Sequence, residues 1–253
     1  MKFTEYISTH HVFTTADLLA ASDSAASAEQ QLGAAVRSGS VERARRGLLV
    51  SNHGRFEGAM VDPYTVVSAG DPNAILRFHS ALEAHGVTHN VGFECRFLSD
   101  SIRTSFEFRG IRYIPCGPAT GIPSVVVRGG SVRRRATTKE RTIVDCLGSP
   151  GKAGGPEEVV RCITAFAYID ADALADMACS EGPSAAARIG WLLVQKADDW
   201  HVGEDVLARL DQAISGGPYR FGRASYDGGG FSPRWRLILP ATNKEVESWI
   251  TRF

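Results

Sequence analysis

Residues 27–51 read SAEQQLGAAVRSGSVERARRGLLVS. Ser27 with Gln30 three positions later makes a capping-box pattern that opens a helix, Ala28 to Ser38, and Gly39 sits where a helix stops. Ala28, Leu32, Ala35 and Val36 fall on one stripe of that helix and are expected to face a core. The opposite face carries Ser27, Gln30, Ala34 and Arg37, with Gln31 at its flank. Two extended runs follow, Ser40 to Ala44 and Gly47 to Ser51, turning at Arg45-Arg46-Gly47, where Gly47 supplies the positive φ a tight hairpin needs.

Upstream, Phe3, Tyr6 and Ile7 mark a short amphipathic helix over Phe3 to Thr9. Thr14 or Thr15 caps a second, Ala16 to Ala21, with Asp17 in its first turn, and Ser22 to Ala26 reads as a turn. Three short helices followed by an arginine-tipped hairpin are the layout of a winged helix-turn-helix. In such a module Gln pairs bidentately with adenine and Arg with guanine or a phosphate. Arg43, Arg45 and Arg46 lie within four positions of one another at the hairpin tip, where like charges repel unless a phosphate or a minor groove relieves them. The expected DNA-contact set is Ser27, Gln30, Gln31, Ala34, Arg37, Arg43, Arg45, Arg46 and Arg55.

Residues 56–62 read as a linker. Asp62-Pro63 then opens a helix through Ala69, and Ile75 to Phe78 reads as a strand. Ser80 caps a helix ending at Gly86. Strand-like runs follow at Gly92–Leu98, Ser105–Phe108, Ile111–Ile114, Ser124–Arg128 and Val132–Ala136, with turns at Arg109-Gly110 and Gly129-Gly130. Thr137 or Thr138 caps a helix through Leu147, and Gly148 to Pro156 is a second break. Beyond it the pattern is helical at Glu157–Phe166, Ala171–Cys179, Ser184–Lys196 and Glu204–Ile214. A mobile glycine loop at Gly228–Gly230, a strand at Trp235–Leu239 and a helix at Lys244–Ile250 complete the chain. The expected class is α+β: a winged helix-turn-helix over 1–55, a mixed α/β region over 62–147 and a mainly helical region over 156–253.

The 253 residues carry 28 basic and 28 acidic groups, and this zero is a cancellation. Residues 30–60 carry a net +3, residues 101–147 a net +6 and residues 148–217 a net −6. Segregated charge points a basic face at an anionic partner. Arg133-Arg134-Arg135, with Lys139 behind, is a second basic patch; on a strand Arg133 and Arg135 project together and Arg134 opposes them. It could extend a DNA footprint, meet an acidic partner, or neutralise the chain's own acidic region.

No stretch is apolar enough for a membrane span, and Met1 to Ala20 has no signal-peptide pattern, so a cytoplasmic protein without membrane association is expected. Five widely spaced cysteines point to reduced thiols, and no metal or cofactor is expected. His79 and Glu83 are four residues apart but lack the HExxH spacing; His79 reads as a hydrogen-bonding residue at a helix start. Glu140, Arg141 and Asp145 share a polar helix face with Thr138 and are the candidates for a nucleotide, salt bridges being the simpler role. The P-loop, the GxSxG elbow, GxGxxG after a strand and the kinase signatures are all missing, so no catalytic residue is assigned and an enzyme is not expected.

From about residue 10 to 195 the chain resembles the AbiEi-type antitoxins of bacterial type IV toxin–antitoxin systems. The resemblance rests on Val12-Phe13-Thr14-Thr15-Ala16-Asp17-Leu18, Val41 to Leu48, Asp62-Pro63-Tyr64, His79 to Gly86, Thr138 to Leu147 and Ala185 to Leu193, in that order. It implies a phage-defence antitoxin that represses its own operon by binding inverted repeats in the promoter through the third helix and wing. It also implies a larger C-terminal region that neutralises a cognate nucleotidyltransferase toxin without a stable complex. A monomer in solution that binds cooperatively on DNA is expected. The recognition helix departs from the family in being alanine-rich, with Arg37 as its one arginine. Two competing functions are an enzyme-type antitoxin acting on the toxin or its product, and a stoichiometric toxin-binding protein using the acidic region 148–217.

Overall fold

The computed structural model describes residues 1–88, 90–129, 132–222 and 228–251. The architecture is mixed α+β, and the chain forms two compact units that interleave in sequence. The first comprises Met1–Leu76, Phe93–Gly121 and Arg128–Arg135; the second comprises Arg77–Gly92, Ile122–Val127 and Ala136–Phe253. The middle region expected over 62–147 is therefore divided between them.

The first unit opens with α1 (Phe3–Thr9), β1 (Val12–Thr14), α2 (Thr15–Ala21) and α3 (Ala25–Ser38). Thr14 closes a full capping box on α2: its Oγ1 accepts the Asp17 N–H at 3.0 Å, and Asp17 Oδ2 accepts the Thr14 N–H at 3.2 Å. α3 starts three residues earlier than the Ser27 pattern suggests. Ser24 is its cap, accepting the Ser27 N–H at 3.4 Å, while Ser27 Oγ accepts from Gln31 Nε2 at 2.9 Å. The competing caps are both serines three residues apart, and the helix propagates through the alanines between them. Gly39 ends it in the left-handed region at φ 78°. Ala28, Leu32 and Ala35 are buried as expected, and Leu32 and Ala35 pack with Phe3, Tyr6, Ile7, Phe13, Leu18, Val41 and Leu49 in one core.

β2 (Val41–Arg45) and β3 (Leu48–Ser51) pair antiparallel, and β1 adds on the far side of β3, with Val12 opposite Val50 and Phe13 opposite Leu49. Sequence alone did not reveal β1. Three residues before a helix cap carry no periodicity, and only pairing with the fully buried β3 makes them a strand. α4 (Pro63–Gly70) is capped by Asp62, whose Oδ1 accepts the Tyr64 N–H at 3.0 Å. The unit's second sheet runs β6 (Phe106–Phe108), β7 (Ile111–Pro115), β5 (Glu94–Leu98), β4 (Ile75–Leu76), with β5 and β7 parallel. Arg109 at φ 47° and Gly110 at φ 76° form the two-residue β6–β7 turn. β8 (Ser124–Gly129) and β9 (Val132–Thr137) follow; Gly130 of the expected Gly129-Gly130 turn lies outside the described residues.

The second unit is mainly helical: α5 (His79–Ala84), α6 (Lys139–Gly148), α7 (Pro156–Thr164), α8 (Ala171–Glu181), α9 (Pro183–Gln195), α10 (Glu204–Ala213) and α11 (Asn243–Thr251). Ser80 is not a cap. It is fully buried inside α5, whose N-cap is Phe78. Thr138 caps α6 as expected, accepting the Arg141 N–H at 3.2 Å. The predicted strand at Trp235–Leu239 contracts to β12 (Leu237–Ile238), flanked by β10 (Tyr219–Arg220) and β11 (Phe231–Ser232). Gly229 and Gly230 are packing residues rather than a loose loop. Gly230 N–H donates to Ala241 O at 2.7 Å, and a Cβ on either glycine would collide with Leu239 or Asn243.

Candidate nucleic-acid interface

The core stripe of α3 fixes what its other face shows. Ser27, Gln30, Gln31, Ala34 and Arg37 are all exposed. Gln31 is held by its bond to Ser27, leaving Gln30 as the uncommitted amide. Arg37, Arg43 and Arg46 are exposed and have no acidic or hydrogen-bond partner among the described residues.

The hairpin divides the expected arginines by role. A register shift between Arg43 and Arg45 breaks the alternation of β2. Arg43 and Arg46 remain exposed, whereas Arg45 is partly buried with its guanidinium over the Phe106 ring at 5.4 Å. Its Nη1 is buried without a hydrogen-bond partner. Beside it, Glu42 accepts from Arg109 Nε at 3.1 Å and from Nη2 at 2.5 Å, and Arg109 Nη1 donates to Ala59 O at 2.8 Å. The Arg109 guanidinium holds the Glu42 carboxyl below its ordinary pKa. Arg45 and Arg109 thus brace the hairpin against β6 and its turn. Arg55 is likewise engaged: its Nη2 donates to Thr9 O at 3.0 Å and its guanidinium lies over Phe56 at 4.7 Å.

The second basic patch separates in the same way. Arg133 and Arg135 are exposed, and Arg134 turns inward, donating to Asp62 Oδ2 at 2.7 Å with its guanidinium 4.7 Å from the Tyr64 ring. Lys139, on α6, donates to Tyr168 O at 3.0 Å.

Among the nucleotide candidates, Glu140 stands apart, accepting the Asp170 N–H at 3.2 Å beside the start of α8. Arg141 and Asp145 meet a residue that sequence reasoning missed. Arg77 donates to Asp145 through Nε at 2.6 Å and Nη2 at 2.7 Å, a bidentate pair across 68 positions of sequence. Arg141 Nε donates to the same carboxylate at 3.0 Å and Nη1 to Glu181 at 2.5 Å. These groups line a cavity of about 460 Å³ in the second unit, together with Phe78, Lys152 and Arg188. Phe78 and Lys152 carried no motif, and their sequence separation hid the cluster.

His79 sits at the start of α5, buried, with Nδ1 3.4 Å from Glu83 and Nε2 3.8 Å from Glu158. The Glu83 carboxylate raises its pKa above the ordinary value, against the effect of burial. His85 shifts the other way, lowered by burial, its Nε2 2.8 Å from Thr137 O. No group of three or more His, Cys, Asp or Glu side chains that could hold a metal occurs among the described residues. No helix among them is long and apolar enough to cross a membrane.

Neither a family model nor a curated protein matches the chain. Among solved structures, its backbone is similar to that of the Rv2827c protein from Mycobacterium tuberculosis, with a TM-score of 0.69 at 16% identity, over 99% of this chain and 93% of that one. At that identity the likeness is one of fold, and the chain shares its α+β fold with the Rv2827c protein.

Proposed function

We propose that residues 1–55 are a winged helix-turn-helix that binds double-stranded DNA in the promoter of their own operon, and that the protein is the autorepressing antitoxin of a type IV toxin–antitoxin pair. The observation that carries the DNA reading is the separation of arginines. Arg45 and Arg55 are engaged by neighbours in the fold, whereas Arg37, Arg43 and Arg46 are exposed on consecutive elements with no partner among the described residues, beside a helix face of Gln30, Ala34 and Ser27. Small residues admit a helix to the major groove, Gln30 is the base-reading candidate, and the arginines at the helix end and hairpin tip meet phosphates.

The antitoxin role rests on the sequence resemblance, which also makes the partner a nucleotidyltransferase toxin acting in the cytoplasm without a stable complex. One module per half-site would suit a monomer that binds inverted repeats cooperatively.

The test is binding of the purified protein to the duplex upstream of its gene, against a scrambled duplex. Arg43→Glu/Arg46→Glu is expected to abolish binding to both duplexes while leaving the melting transition in place. Gln30→Ala is expected to weaken the upstream duplex by about tenfold and to spare the scrambled one. Equal affinity of the wild type for the two duplexes at physiological salt would overturn the regulator reading.

A further inference from the structure

We propose that the cavity between α6, α9 and the Arg77–Phe78 segment of the second unit is a binding site for a small phosphate monoester, with the dianionic phosphate held between Lys152 and Arg188. Among the described residues four cations line the cavity, Arg77, Arg141, Lys152 and Arg188, against two acids, Asp145 and Glu181. Asp145 is neutralised by Arg77 and Arg141, and Glu181 by Arg141. Lys152 and Arg188 have no carboxylate among the described residues. The described lining therefore carries an excess of two positive charges, which a phosphate monoester dianion balances and a phosphodiester does not.

Hydrogen-bonding capacity agrees. Arg188 is largely buried, and its Nη1 donates to Ser184 Oγ at 3.0 Å and to Arg220 O at 3.1 Å. Its Nε and Nη2 have no partner among the described residues. Burial weighs on this guanidinium with no acid to offset it, which an incoming anion would do. Ser184 Oγ accepts from Arg188, so its own O–H is left to donate, and Ser149 also lines the cavity. The first turn of α9 and the last turn of α6 both reach the site with opposed dipoles, so the side chains set its sign.

A third observation is backbone strain. Phe78 lines the cavity at φ 56°, ψ −132°, a region that bulky residues avoid, and is buried. That conformation sets its ring beneath two cations, with Arg77 Cζ 4.8 Å and Lys152 Nζ 5.0 Å from its centroid. The cation–π contact holds Lys152 at the cavity without an acid to quench it. The volume exceeds what phosphate alone needs and falls in the range of small-molecule sites.

Titration calorimetry on the full-length protein with inorganic phosphate, adenosine 5′-monophosphate and adenosine tests this. Saturable binding of the two phosphates and none of adenosine is expected. Tighter binding of the nucleotide than of inorganic phosphate is expected of a monoester site, and equal or weaker binding of the nucleotide would overturn the monoester assignment. Lys152 is exposed and its one contact among the described residues is with the face of the Phe78 ring, so Lys152→Gln is expected to change the melting temperature little and to weaken phosphate binding about tenfold. Arg188→Met, which keeps the apolar stem, should weaken it at least as much. Absence of saturable phosphate binding at millimolar concentration, adenosine binding as well as its monophosphate, or unchanged affinity in both variants would overturn the proposal.

Discussion

Arg77, Arg141 and Asp145 show how one buried charge is kept in the fold. The Asp145 side chain is 2% exposed, and two guanidiniums bracket it. Asp145→Asn keeps the shape but leaves Arg77 without its carboxylate and Arg141 with Glu181 alone, and the expected loss is about 3–5 kcal/mol of unfolding free energy by denaturant titration. A loss under about 1 kcal/mol would show that the pairs behave like surface bridges. His79 gives a pH signature of defined sign. Its folded-state pKa is raised, so its contribution is complete below the ordinary histidine value and is lost as pH rises through the raised value. Unfolding free energy should therefore fall as pH rises above the ordinary histidine value of 6.5 and through the raised folded-state value, and His79→Gln should flatten that slope. An unaltered slope in the variant would assign the dependence elsewhere. Neither cluster is legible in sequence beyond its helical half. The spacings Arg141–Asp145 and His79–Glu83 can be read as pairs one helical turn apart, whereas Arg77 and Glu158 arrive through tertiary packing.

Elements were read well where periodicity and caps agree. The apolar stripe of α3, the Thr14 box on α2, the Asp62 and Thr138 caps and the Arg109-Gly110 turn all stand where local chemistry placed them. Errors fall where a local pattern had two solutions, as at Ser24 and Ser27, or where a two- or three-residue strand exists only through its partner, as with β1, β10 and β11. α9 offers a test of packing between elements. Gly190 lets the Trp235 indole, itself 1% exposed, lie directly on the helix. Gly190→Ala improves helix propensity by up to about 1 kcal/mol, yet its Cβ would overlap the indole, so overpacking of about 1–3 kcal/mol decides the sign. A net loss of stability is expected in thermal melts, and a gain would mean that the β10–β12 sheet shifts freely.

For the chain as a whole, the formal charge is zero and the pI about 7.1, so the proposed DNA binding would draw little on long-range attraction and would depend on a few local cations. With Arg37, Arg43 and Arg46 as the free set, log affinity for the upstream duplex should fall against log salt with a slope of about −3 per bound copy. Arg46→Gln should reduce that slope by about 1. A slope of about −4.5 in the wild type would instead bring in Arg133 and Arg135.

Hydrophobic periodicity, caps and turn residues, which act over a few neighbouring positions, determined the order of most helices and strands and the outward face of α3. They could not say which arginines are spent. Arg45, Arg55 and Arg134 look no different in sequence from Arg43, Arg46 and Arg133, and only Phe106, Thr9 and Asp62, brought alongside by folding, give the first three structural work. The phosphate-sized excess of charge at Lys152 and Arg188 is likewise a tertiary property. It is the remainder after long-range pairs have cancelled, and no local window contains both sides of that subtraction.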